Sequence, residues 1–148
     1  HPDEVWEQTI AVNLTGVYRM VKTVLPDMIE QKWGRIISIA STAASVSAPG
    51  FGAYSASKAA LVGMTLPAAR ELARFGIRVM TIAPGLMNTP MLAGMSAEVQ
   101  ASLIAGTIFP KRLGTADEYA ALALHIIQNR LLNGETIRLD GAVRLAAK

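Results

Sequence analysis

Three short apolar runs set between longer helical stretches constrain this chain most. The runs are Arg35-Ile-Ile-Ser-Ile-Ala40, Ile77-Arg-Val-Met-Thr-Ile82 and Gly134-Glu-Thr-Ile-Arg-Leu139. The first is apolar and β-branched, which suits a strand buried on both faces of a parallel sheet. Ahead of it, Trp6, Ile10, Leu14, Val17, Val21, Val24 and Met28 recur at helical spacing. They predict a helix from Pro2 to Gln31, bent near its end by Pro26. A second helix is expected from Tyr54 to Phe75, with Gly76 as its C-terminal stop. Pro67 in its middle should remove one backbone hydrogen bond. Thr115-Ala-Asp-Glu118 resembles a capping box. It opens a third helix that carries Tyr119, Leu122, Ala123 and Ile126 and ends near Gln128. The order α, β, α, β, loop, α, β indicates an α/β fold, a parallel sheet with helices on both faces. Residues 1–148 read as a single domain, with no internal repeat, linker or low-complexity segment.

Composition narrows the function. A chain of 148 residues that is 51% hydrophobic and 17% charged can build a core and is not disordered. Cysteine is absent, which removes disulfides and thiolate chemistry. Only His1 and His125 offer imidazoles, and no acidic cluster sits at ligand spacing, so the sequence argues against a metal. No signal peptide is evident and no apolar run is long enough to span a bilayer, so a soluble, cytoplasmic protein without a membrane partner is the default expectation. The net charge is +3, and Arg70, Arg74 and Arg78 give the one notable basic spacing. It reads as a solvated helix face and the strand after it. At 5% aromatic residues the chain does not resemble a nucleic-acid binder. Lys111 and Arg112 are either ordinary surface charges or contacts for substrate phosphates.

Chemistry enters with Ser41, Tyr54 and Lys58, which stand thirteen and four residues apart. A Tyr and a Lys four apart on a helix share one face. An ammonium so placed favours phenolate over phenol. Such a Tyr can take a proton from an alcohol or return one to a carbonyl. Ser41, on a loop just after a strand, can hydrogen-bond the same oxygen. A lone Tyr-x-x-x-Lys is common on solvated helix faces, and the added Ser makes the pattern informative. Gly50-x-Gly52 lacks a third Gly and follows no immediate strand, so it reads as punctuation in the small-residue loop that ends at Pro49-Gly-Phe-Gly52.

Four motifs in order, Asn13 in Val12-Asn-Leu-Thr-Gly16, Ser41 after Ile39-Ala40, the Tyr54/Lys58 pair, and Ala83-Pro-Gly85 ahead of Thr89, resemble the short-chain dehydrogenase/reductase family. The resemblance covers nearly the whole chain but only the C-terminal part of the family's Rossmann-like doubly wound fold. It implies that Tyr54 is the catalytic acid/base and that Ser41 polarises the substrate oxygen. It further implies that Lys58 tunes Tyr54 and binds the nicotinamide ribose, and that Asn13 holds a water linking Lys58 to solvent. Pro84, Gly85, Leu86 and Thr89 are implied to line the nicotinamide, with Tyr54 and Lys58 sharing in cofactor binding. Within the family, Gly63-Met-Thr-Leu-Pro67-Ala-Ala-Arg70, Ile77 to Leu86, Phe109-Pro…Arg112-Leu-Gly114 and Leu132 to Gly141 look like the type 2 3-hydroxyacyl-CoA dehydrogenases. The sister 3-oxoacyl carrier-protein reductases end their last strand in Asp-Gly-Gly, where this chain has Asp140-Gly141-Ala142.

The implied reaction is the NAD-dependent oxidation of a 3-hydroxyacyl-CoA, with NADP and the reverse reduction as alternatives. Met91 to Phe109, with Met91, Leu92, Met95, Leu103, Ile104, Ile108 and Phe109, is either a lid over an acyl chain or ordinary helix packing. Homodimers or homotetramers are implied through helices 2–31 and 54–75. No glycine-rich turn follows a strand, so the dinucleotide-binding strands of the family are missing. The chain also opens on His inside a helical pattern, as a piece of something longer would. The first strand is then expected to have an unpaired edge. The isolated chain is expected neither to bind cofactor tightly nor to turn over. A catalytically silent fragment that keeps only assembly surfaces is the competing reading.

Overall fold

The computed structural model describes residues 2–44 and 50–143. The expected first helix forms, as three segments without a break: α1 (Asp3–Ile10), a π-helical turn (Ala11–Thr15) and α2 (Gly16–Glu30). Pro26 lies inside α2, which continues past it to Glu30. Strand β1 (Gly34–Ile39) follows, then a single 3₁₀ turn (Thr42–Ala44). The small-residue loop expected to end at Gly52 lies partly outside the described residues.

Helix α3 (Gly52–Leu72) begins two residues earlier than the sequence suggests and closes in a 3₁₀ turn (Ala73–Phe75). Pro67 sits inside it, tolerated in a helix that packs against the sheet. Gly76 then takes the left-handed conformation, with φ 72°. A side chain there would also strike the Lys32 carbonyl, so this stop needs glycine twice over. Strand β2 (Ile77–Pro84) runs into the segment holding α4 (Pro90–Ala93) and α5 (Ala97–Ala105). A cis peptide joins Phe109 to Pro110. Helix α6 (Ala116–Gln128) opens with the expected capping box: Glu118 N–H donates to Thr115 Oγ1, and Thr115 N–H to Glu118 Oε2. Strand β3 (Thr136–Leu139) is the last element.

The sheet is parallel in the order β1-β2-β3, with Gly34 opposite Ile77 and Thr81 opposite Thr136. β2 is central and buried along nearly its whole length. Its alternation divides the core, because successive side chains point to opposite faces. Ile77 and Val79 pack with Ala69 and Leu72 of α3 and with Leu25, Met28 and Ile29 of α2. Met80 and Ile82 pack on Ile126 and Leu122 of α6. Helices therefore cover both faces, as in a doubly wound sheet. Among the described residues no strand pairs with the outer side of β1, and Ile39 at its end is 53% exposed. No described helix is long and apolar enough to cross a membrane.

The basic spacing resolves differently from the sequence reading. Arg70 and Arg74 are exposed on α3 and the turn after it, as expected, but Arg78 is only 8% exposed. Gly76 ends the helix and Arg78 stands on the strand after it, as expected, but that strand is the buried centre of the sheet rather than a solvated edge. Its guanidinium donates to the carbonyls of Ile126 and Ile127 in the last turn of α6, at 2.8 and 2.7 Å, and to Leu132 O at 2.6 Å. It thereby caps carbonyls that a helix leaves without internal partners.

Candidate functional site

Parallel strands bring their carboxyl ends to one edge, where ligands of open α/β sheets bind. Ser41 follows β1, Pro84 and Gly85 close β2, and Asp140 follows β3. Tyr54 and Lys58 reach this edge from the first two turns of α3. The Lys58 ammonium lies 5.8 Å from the Tyr54 ring centroid. It donates to Ile39 O, the last carbonyl of β1, at 2.8 Å. Partial burial pushes its pKa below the ordinary lysine value, because desolvation penalises the charged form. The Phe51 ring meets Tyr54 edge-on, with centroids 6.1 Å apart. The pair read from the sequence is thus assembled, and half-buried rather than spread on a solvated helix face.

Asn13 is brought to the same helix by the π turn. Its Nδ2 donates to Ser57 Oγ at 3.3 Å, and Ser57 Oγ donates to Tyr54 O at 2.7 Å. Ser57 is fully buried. Asn13 therefore reaches the residue next to Lys58 rather than Lys58 itself. Single-turn π bulges recur at functional sites because they re-aim a side chain. Ser57 and the π turn escaped the sequence reading. Ser57 looks like filler between Ala56 and Lys58, and no composition signal marks a π turn.

Ser41 accepts the Ala43 N–H at 3.1 Å, which turns the chain over the end of β1. It lines a cavity of about 260 Å³ together with Ala59 and Val62 of α3, Ala83 of β2, and Thr136 and Arg138 of β3. Ser41 thus faces the helix that carries the Tyr/Lys pair, with no direct bond to either. Gly85 N–H donates to Leu139 O at 2.9 Å, and a Cβ on Gly85 would lie 2.7 Å from Asp140 Cβ. Only glycine lets the ends of β2 and β3 approach this closely. Asp140 forms an ion pair with Arg138 at 2.6 Å.

Leu86 lines a separate cavity of about 240 Å³ beyond the ends of β2 and β3, with Met87, Pro110, Arg112 and Asp140. Thr89 precedes α4 and accepts from Leu92 and Ala93 N–H through its carbonyl. Arg112 donates two hydrogen bonds to Glu118, at 2.9 and 2.8 Å, so its fork is committed to a carboxylate. Of the expected lid side chains, Leu92 is buried, whereas Met91 is 84% and Phe109 80% exposed. Packing within the chain therefore leaves part of this apolar segment uncovered.

The fit to a nicotinamide cofactor can be tested on Lys58. An ammonium carries three N–H donors, and Ile39 O takes one. The other two can serve a pair of vicinal hydroxyls such as those of a ribose. The residues present thus suit the nicotinamide riboside half. Among the described residues no glycine-rich strand-to-helix turn is available for a pyrophosphate.

Known proteins resemble this chain in sequence and in fold. A family profile described as short chain dehydrogenase matches residues 1–100. The 3-hydroxyacyl-CoA dehydrogenase type-2 of Bos taurus is 49% identical over 98% of this chain and 58% of its own length. The crystal structure of 3-hydroxyacyl-CoA dehydrogenase type-2 from Mycobacterium avium superposes with a TM-score of 0.91, at 40% identity, over 100% of this chain and 60% of that one. A 3-oxoacyl-[acyl-carrier protein] reductase with bound NAD from Brucella melitensis superposes with a TM-score of 0.86, at 33% identity, over 99% of this chain and 54% of that one. The chain thus spans less than three fifths of the length of that curated relative.

Proposed function

This chain belongs to the short-chain dehydrogenase family, and we propose that it supplies the catalytic half of an NAD-dependent oxidoreductase that interconverts a 3-hydroxyacyl-CoA and its 3-keto form. The observation that carries the proposal is the half-buried Tyr54/Lys58 pair at the carboxyl end of β1, with the Lys58 ammonium 5.8 Å from the Tyr54 ring. The substrate class is supported by relatives of that name at 46–49% identity. NAD is supported by the reductase structure that holds it.

In the oxidative direction, Tyr54 as phenolate takes the proton of the substrate hydroxyl. Lys58 favours the phenolate electrostatically and offers its two remaining N–H donors to ribose hydroxyls. Ser41 donates its hydroxyl to the substrate oxygen and fixes it within reach of Tyr54. Pro84, Gly85, Leu86 and Thr89 would hold the nicotinamide ring and its carboxamide. Asn13, through Ser57, holds the turn of α3 that presents Lys58. A nicotinamide held by Tyr54, Lys58 and the segment after β2 would supply the two-electron hydride chemistry that complements this proton transfer. The exposed Met91, Ile108 and Phe109 offer apolar cover for an acyl chain. Exposed Met20 on α2 and Met64 on α3 suit packing against a second copy through helices 2–31 and 54–75.

The test is an assay of a full-length protein containing this sequence, with 3-hydroxybutyryl-CoA and either NAD or NADP, followed by absorbance of the reduced nicotinamide. Turnover with NAD supports the reading. Turnover only with NADPH and a 3-oxoacyl thioester moves the assignment to the reductase branch. No turnover with any of these leaves the silent-fragment reading standing.

A further inference from the structure

The opposite edge of the sheet carries a third cavity, of about 250 Å³, lined by Arg35, Gly76, Arg78, Arg130 and Asn133 among others. It sits where β1 and β2 begin, so the length of a six-residue strand, roughly 20 Å, separates it from the Tyr54/Lys58 pair. Three guanidinium groups converge there. Among the described residues none of the three pairs with a carboxylate, since the ion pairs are Arg112–Glu118 and Arg138–Asp140.

Two of these arginines are held rigidly. Arg78 spends both terminal nitrogens on the carbonyls that end α6, yet its Nε is buried without a hydrogen-bond partner. Arg35 donates to Gly34 O and Gly76 O and lies 4.8 Å over the Trp33 ring, and its Nε is likewise buried and unpartnered. Arg130 is exposed at the rim. Burial, and after it the like charges of Arg35 and Arg130, lowers the Arg78 pKa. Buried donors without partners are rare and call for an acceptor. Clustered arginines of fixed geometry suit a tetrahedral oxyanion, whose oxygens accept several charge-assisted hydrogen bonds.

We propose that the cavity between Arg35, Arg78 and Arg130 is a binding site for a phosphate group, separate from the dehydrogenase site. The bound group joins the start of β1 and β2 to the loop after α6. It stabilises the folded chain by mass action without touching the reacting atoms.

The experiment is thermal unfolding of a full-length protein containing this sequence in rising inorganic phosphate, with chloride holding ionic strength constant. A parallel titration uses glycerol 3-phosphate. The expected result is a saturable rise in Tm, roughly 5–11 °C at a hundredfold excess over Kd for a domain of this size. Arg130→Gln, which breaks no internal bond, should weaken the midpoint at least tenfold, while Arg70→Gln on exposed α3 should leave it unchanged. A rise with both ligands identifies a phosphomonoester site, and a rise with inorganic phosphate alone identifies a site closed to larger groups. A non-saturating rise, or equal responses of Arg130→Gln and the parent chain, overturns the proposal.

Discussion

Replacing Arg78 with Met tests the reading of the central strand quantitatively. The guanidinium makes three hydrogen bonds of 2.6–2.8 Å to carbonyl oxygens, two of them in the last turn of α6. Bonds from a charged donor contribute about 1.5–3 kcal/mol each before non-additivity. Met fills a similar volume and removes a costly buried charge, which offsets part of the loss. What remains is the desolvation of carbonyls left unmet, among them that of Ile126, a residue 1% exposed. A net loss of about 2–4 kcal/mol follows. In a domain of this size each kcal/mol lowers Tm by roughly 2–4 °C, so Arg78→Met should melt roughly 4–16 °C below the parent. The assay is thermal unfolding by far-UV circular dichroism, with Arg70→Met as the control for charge removal on an exposed helix. The control should shift stability by less than about 0.5 kcal/mol. Equal melting of the two variants would refute the claim that Arg78 anchors α6 to the sheet.

Two further outcomes probe the site and its surroundings. Gly85→Ala puts a Cβ 2.7 Å from Asp140 Cβ and 2.9 Å from its Cα, forcing apart strand ends joined by the 2.9 Å bond from Gly85 N–H to Leu139 O. Urea unfolding should show a loss of about 1–3 kcal/mol, and an unchanged midpoint would mean the ends of β2 and β3 can separate freely. The Arg112 hydrogen bonds hold the Glu118 carboxyl down at about 2. A folded-state pKa below the unfolded one gives stability that is present above the usual carboxylate range and fades as pH falls toward 2. Acid titration of Glu118→Gln should therefore lack the part of the parent's stability loss that falls between the carboxylate range and pH about 2. Both side chains are exposed and solvent-screened, so the difference should be small; identical acid profiles would remove the pair from the account.

Much of the fold was legible because local signals and tertiary structure agree here. The Thr115–Glu118 box opens α6, Gly76 ends the helical register after Phe75, and the alternation of β2 feeds two faces. The Tyr54/Lys58 pair was legible for the same reason: four residues on a helix fix a common face whatever the rest of the chain does. Arg78 was placed on the right strand, but its burial was not legible, because its carbonyl partners Ile126, Ile127 and Leu132 lie about fifty residues away in sequence. The link from Asn13 to Ser57 was invisible because it spans 44 residues and depends on a π turn. Among the described residues β1 lies at the edge of the sheet.

The central claim is that Tyr54 is the proton-transfer group of a dehydrogenase. It is tested most directly by steady-state kinetics of Tyr54→Phe in a full-length protein that contains this sequence, with 3-hydroxybutyryl-CoA and NAD. The substitution removes the hydroxyl and keeps the ring that packs edge-on against Phe51. The account predicts a fall in kcat of roughly 10²–10⁴ with KM changed only a few-fold. A Tyr54→Phe enzyme with kcat within a few-fold of the parent would contradict it.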